Sequence, residues 1–316
     1  MKIGFAYNLK DPAFDVTDTH AEYETPETVA AITDVLSRFG DVVSLPCDRD
    51  LPGRLKAEQP DVVFNIAEGW GGRDRESFVP VLCEMLGIPF SGSDATALGI
   101  TMDKALTKRI ARDAGVRTTD FALYDRPPEE PPGFGFPAFA KPALDGSSRG
   151  IFADSRIGDF AALRDKVDSL MEKYEQPVLV EPYLDGREFC VGIIGNDPPR
   201  VLPTCEIGLG HESGIPFFSR EYKRHDRDRI DFDPAVSPAA VGEMEEYARI
   251  MWRLLGLRDY ARFDFRTDSH DSPYLLEINA LPGLSPVSGI FVRQAERAAI
   301  DYPACISMIA KRIITI

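Results

Sequence analysis

The sequence lacks the features that mark several classes of protein. No apolar run approaches the roughly 18 residues of a transmembrane helix, and the amino terminus, MKIGFAYNLKD, has no signal-peptide pattern. The five cysteines lie far apart without a CxxC pair, and none of the four histidines has zinc-ligand spacing from another. These absences favour a cytoplasmic protein with reduced thiols and no transition-metal site.

Positive charge is scarce as well. The chain of 316 residues carries 36 Lys and Arg against 51 Asp and Glu, a formal net charge of −15. Because nucleic acids and anionic membranes bind through Lys and Arg, this charge argues against both as partners and leaves small molecules. A hydrophobic content of 44% is that of an ordinary globular protein, and the length suggests two or three domains.

The first third of the chain alternates short β-branched strands with helices. The predicted strands are KIGFAYN, DVVSLP and DVVFNIAEG, with a helix around PETVAAITDVLSRFG. This order predicts a wound parallel sheet whose ligand crevice lies beyond the strand carboxyl ends, near residues 65–72. The dinucleotide fingerprint GxGxxG does not follow the first strand, which argues against a dehydrogenase.

We predict an α/β (α+β) fold with three domains. The amino-terminal domain spans residues 1–95, the central one residues 96–185 and the carboxy-terminal one residues 186–316. A proline-rich stretch, 125–137, is a stiff connector inside the second domain. Strands dominate from about residue 186, with later helices at SPAAVGEMEEYARIMWRLLG and near YPACISMIAKRII.

Two strands near the carboxyl end carry polar side chains on one face. Arg262 and Asp264 share a face of YARFDFRTD, and Glu277 and Asn279 share a face of LLEIN. A hairpin about TDSHDSP places Asp264 opposite Glu277. It also places Arg262 opposite Asn279. Facing carboxylates repel unless a cation lies between them, so the cluster predicts a hard-oxygen site suited to Mg²⁺, with a solvated sheet face as the alternative.

A second candidate site is the loop in AFAKPALDGSSRG. Lys141 ends an apolar strand just before the small residues 145–150, whose backbone N–H groups could bind phosphate together with the hydroxyls of Ser147 and Ser148. The Walker A ending GK[ST] is absent, and a flexible turn is the alternative. Lys104 in TMDKALTK has the alternative of a helix-surface lysine.

Four blocks of the sequence together resemble the D-alanine-D-alanine ligases of the ATP-grasp superfamily. They are SGSDATALGITMDK, FPAFAKPALDGSSRG, VLVEPYLDGREF and ARFDF…LLEINALPGLSPVSG, in the family's order over nearly the whole chain. The resemblance implies an ATP-grasp architecture in which two α+β domains clasp ATP. It also implies two reaction steps: a carboxylate attacks ATP to form an acyl phosphate, and an amine then displaces phosphate.

The resemblance implies a nucleotide site built from several blocks. Its residues are Lys104, Lys141, Ser148, Glu181, Pro182, Leu184 and Glu188. The two lysines hold the phosphates beneath the serine loop, VLVEPYL binds adenine, and Glu188 binds the ribose. The adenine contacts are the Glu181 carboxylate, the Pro182 carbonyl and the Leu184 N–H; proline fits because only its carbonyl is needed.

The resemblance also implies the metal ligands and the catalytic set. Asp264, Glu277 and Asn279 match the family's Mg²⁺ ligands, for two ions that Mn²⁺ could replace. Arg262 stabilises the transferring phosphoryl group and, with the Gly283 N–H, the tetrahedral oxyanion. Ser147 belongs to the loop over the phosphates, and Lys223 matches a lysine of the mobile lid, here residues 210–229.

The resemblance also implies residues that bind the small-molecule amino-acid substrates, but these positions match the family pattern less closely. Glu24 is the best match for the acid that binds the first substrate's ammonium group, with Glu22 and Glu27 as alternatives. Ser288 matches a residue that binds the acceptor's carboxylate.

Several positions around these pockets depart from the family. A histidine-glycine pair becomes Glu68 and glycine, GGEDG becomes GGRDR with Arg73 and Arg75, the lid tyrosine becomes Arg224, and the leucine after Ser288 becomes Gly289. We expect altered substrate choice, because charge in place of a neutral group changes which substrate groups can be paired. The three arginines could receive an additional carboxylate or a larger substrate, and Glu68 could hold an additional amine.

The sequence thus predicts an ATP-dependent ligase that joins amino acids, with D-alanine-D-alanine ligase itself as one candidate. An ATP-binding regulatory protein without activity is the alternative, and a plain structural or interaction domain is a third possibility. The complete set of charged residues argues against the regulatory protein, since binding alone does not need it, and a structural domain would show no rise in melting temperature with nucleotide. A homodimer remains open.

Overall fold

Three β-sheets organise the chain. The computed structural model describes residues 1–10, 22–208, 217 and 230–315. Within these, a parallel sheet lies near the amino terminus, and a four-stranded and a six-stranded sheet follow, both antiparallel. The predicted α/β (α+β) class is confirmed.

The parallel sheet has the strand order β2-β1-β3. Its elements are β1 (Lys2–Tyr7), α1 (Pro26–Leu36), β2 (Asp41–Pro46), α2 (Leu51–Glu58), β3 (Val62–Asn65) and α3 (Phe78–Leu86). Helix α1 begins where the sequence provides a proline at the first helical position and a threonine cap, Thr25, whose hydroxyl accepts the Thr28 N–H. The wound parallel sheet is as predicted, although β3 is shorter than DVVFNIAEG.

The four-stranded sheet has the order β4-β7-β5-β6. Its region comprises α4 (Ala95–Met102), α5 (Lys104–Asp113), β4 (Ala122–Tyr124), β5 (Ala138–Pro142), β6 (Arg156–Ile157), α6 (Phe160–Tyr174) and β7 (Val178–Pro182). Two aspartates, Asp94 and Asp103, cap α4 and α5 by accepting backbone N–H groups. The cap at Asp103 makes Lys104 the first helical residue, with a buried side chain. The alternative of a surface lysine is therefore wrong.

The six-stranded sheet follows the order β11-β10-β8-β12-β13, with β9 beside β8. Its region comprises β8 (Glu188–Ile194), β9 (Arg200–Val201), β10 (Cys205–Ile207), β11 (Ile230–Asp231), α7 (Pro238–Leu254), β12 (Tyr260–Thr267), β13 (Pro273–Asn279), α8 (Ile290–Arg297) and α9 (Tyr302–Ile314). Helix α8 is an element that the sequence reasoning missed. The later helices α7 and α9 are as predicted.

One apolar core joins the first and last parts of the chain. It contains Phe5 and Phe64 of the parallel sheet together with Phe263 of β12 and Ile306 of α9, and α9 packs on α1 and β3. The carboxy-terminal helix therefore returns to the amino-terminal sheet, and the three-domain division stays a prediction. No helix in the described ranges is long and apolar enough to cross a membrane.

The hairpin of β12 and β13 has the predicted register. Asp264 pairs with Glu277. Arg262 pairs with Asn279. A β-bulge follows directly after Asp264. The next residue, Phe265, pairs with Leu275, so Leu276 is left without a partner in the register. The irregularity lies beside the polar face, where the two carboxylates meet.

An asparagine ties together the segments that follow the parallel strands. The Asn8 amide donates to the carbonyl of Cys47, and its oxygen accepts the Gly69 N–H, both at 2.8 Å. Gly69 has a φ of +70°, and a Cβ there would lie 2.2 Å from the carbonyl oxygen of Arg75. The turn after β3 therefore depends on glycine.

Gly69→Ala should lower the free energy of unfolding by about 2 kcal/mol or more, since it adds a steric overlap to the cost of a left-handed backbone. Gly71→Ala is the matched control, because Gly71 has a φ of +56° and no atom within 4 Å of the new Cβ. The control should cost only about 1 kcal/mol. Urea titrations of both variants compare the losses, and equal losses would contradict the steric argument.

Candidate active site

A cavity of about 600 Å³ opens beyond the carboxyl ends of the parallel strands. This volume is typical of small-molecule sites. The cavity is lined by half of the site residues predicted from the sequence, namely Glu24, Glu68, Lys104, Ser147, Arg262, Glu277, Asn279, Gly283 and Ser288. The predicted ligand crevice near residues 65–72 is therefore part of this cavity.

A narrower cavity lies between the two antiparallel sheets. It is lined by the predicted nucleotide residues Lys141, Ser148, Glu181, Pro182, Leu184 and Glu188, and by Asp264. Arg262 and Glu277 line both cavities. The structure thus brings together all the predicted site residues except Lys223 and Arg224, which lie outside the described residues.

The polar face of the hairpin forms a tight network. Arg262 donates to both oxygens of Asp264, at 2.7 Å each, and the Asn279 amide donates to Asp264 Oδ2 at 2.9 Å. The other carboxylate, Glu277, lies 3.3 Å from the Lys104 ammonium group. Burial alone would raise the pKa of Glu277, but the charges of Lys104, Lys141 and Arg262 outweigh it and lower the pKa to about 2.

The donor chemistry of this face suits Mg²⁺. Two paired strands offer carboxylate and amide oxygens here, from Asp264, Glu277 and Asn279. The Asn279 side chain presents its oxygen to this site after a flip of the amide group. In the part of the chain that the structure describes, no three His, Cys, Asp or Glu side chains are grouped to hold a metal. Two carboxylates and an amide still suffice for an ion that completes its coordination with phosphate oxygens and water.

A buried ion triad, which sequence reasoning missed, supports the narrower cavity. Glu181 lies 2.8 Å from both the Lys108 and the Lys141 ammonium groups and accepts the Thr119 hydroxyl at 2.6 Å. Burial raises the pKa of Glu181, but the two lysines more than reverse this and hold it below its usual range. Lys108 could have been found, because it lies four residues after Lys104 on the same helix.

Glu181 therefore has a role besides the predicted contact with adenine. Its carboxylate oxygens fix Lys141. The Leu184 N–H, in contrast, makes no hydrogen bond to any described residue. This donor at the edge of the cavity is compatible with the predicted adenine contact.

Arg266 is a second residue that sequence reasoning missed. It donates to the Leu184 carbonyl at 2.6 Å, to Glu188 at 2.5 Å and to the Tyr183 hydroxyl at 2.9 Å. It therefore connects the predicted adenine segment to the predicted ribose acid. Its signal in the sequence was the alternation in ARFDFR, which places it on the same strand face as Arg262 and Asp264.

The structure distinguishes among the three candidate acids of the first substrate. Glu24 is fixed by backbone hydrogen bonds to Lys10 and Asn8, just after β1, at 2.8 and 3.0 Å, and burial raises the pKa of its carboxyl group. Glu22 is instead occupied by Arg75, and Glu27 is exposed in the first turn of α1. This geometry supports Glu24, which remains a prediction.

An acid pair lies in the wall of the large cavity. Glu68 and Glu76 both line it. Burial and then the charge of Glu76 raise the pKa of Glu68 well above its usual range. Burial likewise raises the pKa of Glu76, to about 7, although Arg75 and Lys104 oppose the shift.

The two arginines of GGRDR do not face the cavities. Arg73 is exposed and lies 2.8 Å from Asp103, whereas Arg75 is buried against Glu22. Each already has a protein partner and neither lines a cavity. That they receive an additional carboxylate or a larger substrate stays a prediction.

The loop that contains Ser285 and Ser288 accounts for another departure from the family. The Ser285 hydroxyl accepts the backbone N–H and the hydroxyl of Ser288, both at 3.2 Å, and Gly289 comes directly before α8. A Cβ at Gly289 would lie 2.6 Å from the Ser285 carbonyl oxygen. Glycine at this position is thus a requirement of the local packing.

Comparison with known proteins identifies the relatives of this chain. The family model described as the D-ala D-ala ligase C-terminus matches residues 119–311. The chain is 32% identical over 292 residues to the D-alanine-D-alanine ligase of Moorella thermoacetica, covering 89% of this chain and 91% of that one. It is 34% identical over 261 residues to the uncharacterized protein y4sG of Sinorhizobium fredii, covering 82% and 76%.

Comparison with solved structures agrees on the fold. The D-alanine-D-alanine ligase from Bacillus anthracis, in its crystal structure complexed with ATP, matches with a TM-score of 0.74 at 24% identity, covering 100% of this chain and 98% of that one. The family model matches more than half of this chain, and the relative from Moorella thermoacetica is 32% identical over 89% of it. These two matches show that the chain belongs to the D-alanine-D-alanine ligase family of ATP-grasp proteins.

Proposed function

We propose that the protein is an ATP-dependent ligase that forms an amide bond between amino acids through an acyl phosphate. The observation that carries the proposal is the wall shared by the two cavities. There Arg262 and Glu277 line both the predicted nucleotide site and the predicted substrate site. A phosphoryl group could pass between the two sites at this wall.

The first step moves the γ-phosphoryl group of ATP to a substrate carboxylate, and ADP leaves. Lys104, Lys141 and Arg262 supply positive charge around the transferred group, which carries its charge on three oxygens. Asp264, Glu277 and Asn279 would hold Mg²⁺, which neutralises phosphate charge when bound. Arg262 stays aligned because Asp264 holds it with two hydrogen bonds.

The second step joins the amine to the activated carbonyl group. The amine nitrogen forms the new bond, inorganic phosphate leaves, and the amine releases a proton. Arg262 and the N–H of Gly283, which is exposed at the cavity, would stabilise the negative charge on the tetrahedral oxygen. Lys223 and Arg224 remain predictions for this step.

The large cavity favours a substrate that carries positive charge. Three glutamates that line this cavity, Glu24, Glu68 and Glu76, form no ion pair with a lysine or arginine among the described residues. One ammonium group would satisfy Glu24 alone. A second amine or guanidinium group could satisfy the pair of Glu68 and Glu76, whose carboxyl groups are poorly hydrated.

A panel of D- and L-amino acids, including diamino acids and arginine, should identify a pair that releases phosphate from ATP in the presence of Mg²⁺. Phosphate should appear together with the dipeptide, because each turnover consumes one ATP. Binding of ATP without phosphate release for any pair would instead favour the inactive regulatory protein.

Asp264→Asn should lower the rate of phosphate release at least about 100-fold, because it removes a charge beside the transferred group. The change preserves the shape of the side chain, so thermal unfolding should stay cooperative. Asp165→Asn, on the exposed surface of α6, is the control and should leave the rate unchanged. Similar rates in both variants would exclude Asp264 from the reaction.

The free protein should lose stability as the pH rises towards 7. The folded pKa values of Glu68 and Glu76 lie above the unfolded value of about 4.3, so the folded state binds more protons between these limits and unfolding becomes easier with rising pH. Glu76→Gln should flatten this decline in urea titrations at pH 5, 6 and 7. Glu84→Gln, which is exposed on α3, should retain it, and an equal decline in both variants would speak against the pair.

A further inference from the structure

Three separated stretches of the chain meet at the side chain of Arg75. The guanidinium group lies just before α3 and is only 7% exposed. It donates to both oxygens of Glu22, at 2.9 and 2.7 Å, and to the Leu144 carbonyl at 2.9 Å. The carboxylate of Asp145 lies 3.6 Å away. Arg75 therefore contacts both the segment before α1 and the start of the predicted phosphate loop.

Glu22 completes the connection from the other side. Its Oε1 accepts the Gly146 N–H at 2.6 Å. A Cβ at Gly146 would lie 2.7 Å from that oxygen, so a larger residue there would displace the Glu22 carboxylate. The pair thus contacts the loop at two points, the Leu144 carbonyl through Arg75 and the Gly146 N–H through Glu22, in addition to the contacts of Gln176 with Leu144 and Asp145.

The loop beyond these points has a conformation that needs support. Ser147 and Ser148 have φ values of +51° and +57°, in the left-handed region. For residues with a Cβ, this conformation is strained, because the Cβ approaches the following carbonyl oxygen. Ser147 lines the large cavity and Ser148 the narrow one, so this backbone sets how the hydroxyls face both sites.

The pair also reaches the predicted first-substrate residue. Glu22 is two residues from Glu24, which Asn8 and Lys10, just after β1, fix through backbone hydrogen bonds. A shift of Glu22 would therefore disturb the loop and Glu24 together. The family pattern has glycine at the position of Arg75, so this connection does not follow from family membership.

We propose that Arg75 and Glu22 form a clamp that positions the phosphate loop over the nucleotide phosphates, in register with the first-substrate segment. The proposal rests on the proposed function, because it needs ATP in the narrow cavity. Arg75 is a positioning residue, since it touches the loop and lines neither cavity. A clamp on the loop should matter for phosphates and leave the adenine contacts unchanged.

Calorimetric titration of the full chain with Mg-ATP, Mg-ADP and adenosine tests the clamp. In Arg75→Met, the Kd for ATP and ADP should rise roughly tenfold, because the loop loses its support, while the Kd for adenosine stays within about twofold. Arg73→Met is the matched control from the same turn, exposed and paired with Asp103. It should bind all three ligands as the unaltered protein does.

Two further variants keep the test independent of folding. Arg75→Lys retains a charge beside Glu22 but lacks the planar fork that reaches Leu144 at the same time, so its loss for ATP should be intermediate. Glu22→Gln retains an oxygen for the Gly146 N–H and should also lose less than Arg75→Met. Both replacements are close in size to the original side chains, so these variants should fold.

The outcomes separate the clamp from the proposed function. If the unaltered protein binds no ATP, the proposed function fails and the clamp with it. If it binds ATP and the variants bind ATP equally well, the clamp alone is overturned. An equal loss for adenosine would also overturn it, because Arg75 would then support the fold as a whole and not the loop.

Discussion

The site depends on facing carboxylates that are neutralised by buried cations. Asp264 and Glu277 are brought opposite each other by strand pairing, and without compensation two such charges would oppose the hairpin itself. Arg262 and Lys104, one from the same strand and one from the start of α5, provide that compensation. This compensation makes three features depend on one another: the hairpin, the cap of α5 and the wall that the two cavities share.

The same principle recurs where helix α5 meets the four-stranded sheet. Glu181 of β7 holds Lys108 of α5 and Lys141 of β5, and none of the three could be buried alone. This arrangement presents Lys141 to the narrow cavity with its position already fixed. Binding of a polyanion would then exchange one set of charge contacts for another, which costs less reorganisation than ordering free lysines.

Local sequence patterns predicted the parts of the site that follow strand periodicity. The period of two placed Arg262 with Asp264 and Glu277 with Asn279, and symmetry about the turn gave the register. The bulge beside Asp264 was not predicted from the sequence, since no local signal marks an added residue. The pairing of Arg75 with Glu22 also escaped, because 53 residues separate them and their contact exists only once the segment before α1 packs beside the loop after β3.

The turn after β3 shows how one short segment can serve two sites. Arg73 and Arg75 line neither cavity, whereas Glu68 and Glu76 line the large one. Because Glu22 engages Arg75 in a bidentate contact, Arg75 opposes the raised pKa values of the acid pair without cancelling them. In the clamp that we propose, Arg75 supports the phosphate loop and its pairing with Glu22 would leave the two glutamates available to the proposed cationic substrate. A change of substrate charge and a change of loop support could therefore arise within the same turn.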